Sequence, residues 1–100
     1  MKVDKFNTQK YLSAAKDKDL DGKSFVIDAV FPETINDVEK VCMRLRGVDK
    51  PLVLNQTNLH LMMSAFGDDT DRWVNNTVVL RIIDVMFNGQ TTKGIQVKIR

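Results

Sequence analysis

The spacing of apolar and polar positions changes several times along this chain, and each change marks an element. Residues 24–31 alternate, with Phe25, Ile27, Ala29 and Phe31 on one face and Val26, Asp28 and Val30 on the other. Period two is the mark of a half-buried strand. Residues 32–37 read as a reversal, because Pro32 has no amide to donate and Asn36-Asp37 favours a turn. Residues 38–46 alternate again: Val41, Met43 and Leu45 point one way, while Lys40, Cys42, Arg44 and Arg46 point the other. Residues 47–51 make a turn into a short third strand, Leu52, Val53 and Leu54. The period then switches. Leu59, Met62, Met63 and Phe66 fall at i, i+3, i+4 and i+7, which predicts a helix over residues 57–66, opened by Asn55 or Thr57 and closed by Gly67.

Residues 68–73 form a polar turn in which Thr70 is placed to cap a short helical turn, and Asn75-Asn76 tolerate turn geometry. A long strand follows over residues 77–87, with Val78, Leu80 and Ile82 on one side, Val79, Arg81 and Ile83 on the other, and a change of phase expected near Asp84. The last turn, residues 88–94, opens on Asn88-Gly89, a strong hairpin signal, and contributes Thr91, Thr92 and Lys93. Residues 94–100 alternate, Ile95, Val97 and Ile99 inward and Gln96, Lys98 and Arg100 outward. Ahead of all this, residues 1–23 form an arm and turn, with a helical turn or two expected from Asn7 or Thr8 through Ala15.

The order is strand, strand, strand, helix, strand, strand. It predicts a mainly β fold, an OB-fold-like five-stranded, partly open antiparallel barrel with one inserted helix, over residues 24–100. A small α+β domain with its helix on an open sheet is the competing architecture.

Composition narrows the chemistry. One hundred residues at 43% hydrophobic suit one domain. With no apolar run long enough to span a bilayer and no apolar leader at the start, a cytoplasmic protein without membrane contact is expected. The lone Cys42 has no partner for a disulfide and no His or Cys at zinc-ligand spacing, the one histidine being His60. Asp17, Asp19 and Asp21 imitate the opening of a calcium loop. However, Ser24 stands at its eighth position, Asp28 in place of Glu at its twelfth, and a strand follows where a helix is required. Asp68, Asp69 and Asp71 read as turn and capping residues. No phosphate loop, paired carboxylates or catalytic Cys-His spacing is present, so no enzyme, no cofactor and no metal are expected.

Residues 52–73 and 94–97 carry a resemblance. Leu52 to Asn55 with Thr57-Asn58, then Phe66 to Thr70, then Trp73, then Gly94-Ile95-Gln96-Val97 resemble a family of small phage and prophage proteins with an LVLN-x-TN, FG-D-DT-x-x-W and G-I-x-V pattern. Where relatives have W-[IV]-G-[KR], this chain has Trp73-Val74-Asn75-Asn76. The resemblance implies phage origin, in a host bacterial cytoplasm, rather than an activity.

The net charge of +2 is too small to argue for a polyanion partner; placement decides. Lys40, Arg44 and Arg46 on the second strand, Arg81 on the fourth, and Lys93, Lys98 and Arg100 at the end project outward. Together with Trp73 as a stacking platform, they form a candidate surface for single-stranded DNA. An ordinary solvated face explains the charges equally well, and a core plug explains Trp73 better. A second expectation is an adaptor that docks a phage or host protein, suggested by Val79 and Ile83 flanking Arg81 on one strand face.

Overall fold

The computed structural model describes residues 10–99. Five strands make one antiparallel sheet: β1 (Ser24–Ile35), β2 (Val38–Leu45), β3 (Leu52–Val53), β4 (Thr77–Phe87) and β5 (Gln90–Ile99), with the helix α1 (Gln56–Phe66) between β3 and β4. The spatial order is β3-β2-β1-β4-β5. This is the mainly β, OB-like connectivity that the pattern predicts, and the sheet is not closed: no ladder joins β3 to β5 among the described residues.

β1 serves two partners in succession. Ser24, Phe25 and Val26 pair with β4, whereas Ile27 to Ile35 pair with β2. Between Ile27, opposite Leu45, and Ala29, opposite Arg44, the register shifts by one residue at Asp28. A bulge of this kind bends the strand and reverses which faces the later side chains occupy. Phe25 and Ile27 therefore face the core as the alternation predicts, but beyond Asp28 it is Val30 that packs against the core. Ala29 and Phe31, expected beside Ile27, share the outer face with their ladder partners Arg44 and Cys42.

Both hairpins are longer than the pattern indicates. β1 continues through Pro32, which pairs with Val41, and reverses only at Asn36-Asp37, with φ of 50° and 64°. In a two-residue hairpin the pair next to the turn, Ile35 and Val38, exchanges both hydrogen bonds. Alternate pairs do not, so Pro32 falls where its missing amide is not needed. The second reversal is confined to Asn88-Gly89, with φ of 52° and 75°, and residues 90–93 belong to β5 rather than to a turn. The β4–β5 ladder runs from Val78–Ile99 to Phe87–Gln90 without the phase change expected near Asp84.

Ile27, Met43, Leu45, Leu52, Leu54, Met62, Trp73, Val78, Leu80 and Val97 form the core. Helix α1 begins at its cap Asn55, whose Oδ1 accepts the Asn58 amide at 2.8 Å, and ends at Gly67, φ 88°. Thr57 is not the cap. The inward stripe of α1 is Asn58, Leu59, Met62 and Phe66, one step round from the predicted one, so Met63 is exposed. Asn58, 2% exposed, occupies the gap in the barrel. Its Nδ2 donates to Ile95 O at 2.8 Å and its Oδ1 accepts from Val97 N at 3.0 Å, so one side-chain amide satisfies the open edge of β5. After the helix, Asp69 rather than Thr70 caps the turn Thr70–Arg72, accepting from Asp71 N at 3.1 Å.

No α-helix has formed in the described part of the arm, whose one helical element is the short 3-10 turn Lys18–Leu20. Ala14–Ala15–Lys16 is a single turn, held by Asp17 N to Ser13 O at 2.8 Å and Ser13 N to Asp17 Oδ2 at 2.8 Å. These local bonds compete with helical ones. The expected start near Asn7 and Thr8 lies outside the described residues. Among those residues, no helix is long and apolar enough to cross a membrane.

Candidate functional site

The cations expected to make one surface are distributed over separate faces. Lys40 and Arg44 lie on the outer face of β2, as predicted, opposite the core-facing Val41, Met43 and Leu45, whereas Arg46 falls just past the strand, in the turn that follows. Arg81 and Lys98 lie on the outer face of β4–β5, beside Val79 and Gln96. Two strands, β1 and β4, separate β2 from β5 in the order, and the curvature of a barrel turns their outer faces away from one another. Lys93 pairs in the ladder with Asp84, in phase with Ile82 and Ile95, so it lies on the opposite side of the hairpin from Arg81. Arg100 lies outside the described residues.

Several of these charges already have partners. Lys93 is hydrogen-bonded to Asp84. Arg81 is 3.4 Å from Asp21, whose Oδ1 also accepts the Ile82 amide at 2.9 Å. Arg46 is 3.9 Å from Asp28 and donates to Asn75 Oδ1 at 3.2 Å. Exposed pairs of this kind contribute little to stability, but each partner carboxylate offsets part of the positive charge that a polyanion meets. Among the described residues, Lys40, Arg44 and Lys98 form no ion pair.

Trp73 is not available for stacking. It is 1% exposed within the core, and its indole Nε1 donates to Gly67 O at 2.8 Å, at the C-terminus of α1. The polar turn before it seats the ring under the helix; it does not present the ring to a ligand. The plug reading is therefore the correct one for this residue.

The aromatic that does reach the outer face is Phe31. The guanidinium carbon of Arg44 stands 6.0 Å from the centre of its ring, at the outer limit of a cation–π contact, and Arg44 Nη1 is 3.5 Å from Asp49 O. Sequence alternation places Phe31 inward; only the bulge at Asp28 brings it out. No signal in the sequence singles out that bulge, although an exposed acid in the middle of a buried strand pattern is compatible with one.

Cys42 departs from expectation in the other sense. Its register puts it on the outer face, directly opposite Phe31 and between Lys40 and Arg44, yet it is fully buried. Tyr11, from the arm, reaches this spot: the Tyr11 phenol is pushed up by burial, then by the Glu33 carboxylate, then by Cys42. Burial, with Glu33 second, pushes the Cys42 thiol up as well, which keeps it protonated and a poor nucleophile. His60 is exposed on α1, as the helical spacing predicts. Among the described residues no three His, Cys, Asp or Glu side chains gather to hold a metal ion. Asp17 instead accepts from Lys50, and Asp21 accepts the Ile82 amide and forms an ion pair with Arg81.

The fold defines the class, a small mainly β, barrel-like domain, and in this chain the outer face of β1–β2 carries the Phe31–Arg44 pair. Within that class the comparisons add no relative, since no protein-family model, curated protein or solved structure matches the chain.

Proposed function

We propose that this chain is a non-enzymatic module that binds single-stranded DNA along the outer face of β1–β2. The observation that carries the reading is Arg44 lying 6.0 Å from the Phe31 ring, on the outer strand face that also bears Lys40, with Arg46 in the turn just beyond it. Single-strand binders combine cations that track phosphates with aromatic faces that stack bases, and this is the one described face where both occur. Phe31 supplies the ring, Lys40 and Arg44 the unpaired charges, and Arg46 a third charge shared with Asp28. Phage origin, implied by the sequence resemblance, suits such a role.

Fluorescence anisotropy of a labelled oligothymidylate, titrated at several salt concentrations, tests the reading. Binding should weaken linearly on a log–log plot, and removing Arg44 should flatten the slope by about 0.7. An absence of binding at low salt overturns it.

An adaptor role has its own support on the other hairpin. Val79 and Ile83 are half-buried rather than exposed, but Met86 is 69% exposed and borders a cleft with Ile83, Val85 and Thr92. Self-association through that hairpin should be visible by light scattering and be lost in Met86→Lys; a strict monomer at high concentration counts against it.

A further inference from the structure

Tyr11 of the arm reaches Cys42 on the outer face of β2, where the proposed DNA track runs, and three observations describe how the arm is held. Cys42 is 0% exposed despite an outward register position, and neither it nor the buried Ala14 belongs to the core cluster. One tie of the arm is at the Lys50–Pro51 corner of the barrel: Leu12 N donates to Pro51 O at 3.0 Å, and Lys50 Nζ lies 3.3 Å from Asp17 Oδ1, with the two side chains 30% and 15% exposed. Beside this tie, Leu12, Asp17, Phe25, Val48 and Lys50 line a cleft of about 400 Å³, so the arm, anchored where Leu12 packs against the core, borders open space at the Asp17–Lys50 end. The same corner touches the candidate site, since Arg44 Nη1 meets Asp49 O, the residue before Lys50.

We propose that residues 10–17 form a strap, latched across β2 by the Asp17–Lys50 ion pair, and that a phosphodiester strand on Arg44 opens it by taking Lys50 from Asp17. The ligand in this proposal rests on the DNA-binding reading; the strap itself does not. The exchange is of one oxyanion for another on the same ammonium, so no proton or bond changes hands. Opening uncovers Cys42 and joins Lys40 to Arg44 as one continuous basic strip, with Lys50 added to its end. Binding and strap release are then one linked equilibrium: whatever loosens the latch raises affinity for the strand, and the strand loosens the latch.

Cys42, the sole cysteine in the chain, reports the strap directly. The rate at which 5,5′-dithiobis(2-nitrobenzoate) labels the native protein is measured for wild type and Asp17→Asn, in low urea, with and without oligothymidylate. Local opening exposes little surface, so labelling should depend only weakly on urea, and Asp17→Asn should label about two- to fivefold faster, the weight of one partly exposed ion pair. Lys50→Met should match it, a second variant that removes the latch from the other side. Labelling that rises with urea as steeply as global unfolding, at equal rates in wild type and both variants, overturns the strap. Anisotropy run in parallel keeps the two readings apart. Faster labelling in the variants without any oligonucleotide binding sustains the strap and sinks the DNA reading. Bound oligonucleotide that leaves wild-type labelling unchanged sinks the release step.

Discussion

Single residues carry the closure of this barrel and much of its chemistry. Asn58 does with one side-chain amide what a missing pair of ladder bonds between β3 and β5 would do, and it does so at 2% exposure. Asn58→Ala should therefore cost about 2–4 kcal/mol in urea denaturation, because it strands a buried carbonyl and a buried amide at about 1–3 kcal/mol each before water recovers part. Asn58→Asp, which keeps the shape but replaces the donor with a second acceptor facing Ile95 O, should be no better. The pair Thr57-Asn58 stood out in the sequence only as part of a resemblance, and the purpose of Asn58 was not legible, since nothing in a sequence tells that an asparagine faces a strand edge 37 residues away. Cys42 and Tyr11 give a pH prediction. Both acids are pushed above their ordinary values of 9.0 and 10.0, so the folded state holds protons that the unfolded state releases. Stability from this source is complete below pH 9 and is lost as pH rises through the raised values. Cys42→Ala should flatten the fall of the thermal midpoint between pH 9 and 10.

Elements were readable wherever one period held. The helix was placed to within a residue at its start because Asn55 and Gly67 are chemical boundaries, and Leu59, Met62 and Phe66 do face inward. β4 was placed within its observed bounds. Reading failed at the bulge. A shift at Asp28 changes the phase of everything after it, so Ala29 and Phe31 were assigned to the wrong face while their strand was correctly assigned. It failed again at the hairpin tips, where Pro32 and residues 90–93 look like turn yet lie in ladders. There the pairing is stabilised by neighbours across the ladder more than by intrinsic preference. The tips themselves yield a test. Asp37 adopts φ 64°, where a side chain is strained and glycine is not. Asp37→Gly, which makes the favoured Asn-Gly turn, should raise stability by up to about 1 kcal/mol, seen as a higher urea midpoint with an unchanged slope.

At the scale of the whole molecule, strand order decides which charges act together. From the sequence, all outward cations count alike. In the order β3-β2-β1-β4-β5 those of β2 stand apart from those of β4 and β5, and the acids Asp21, Asp28 and Asp84 have been placed beside Arg81, Arg46 and Lys93. What remains is a narrow strip around Arg44 and Phe31. The most direct test compares two charge reversals of equal size on different faces, Arg44→Glu and Arg81→Glu, by oligothymidylate anisotropy at low and moderate salt. The account predicts that Arg44→Glu abolishes measurable binding while Arg81→Glu stays within about threefold of wild type, and that Phe31→Ala loses about 1–3 kcal/mol, the worth of one stacked base. Equal losses for both arginines, or no loss for either, would contradict it.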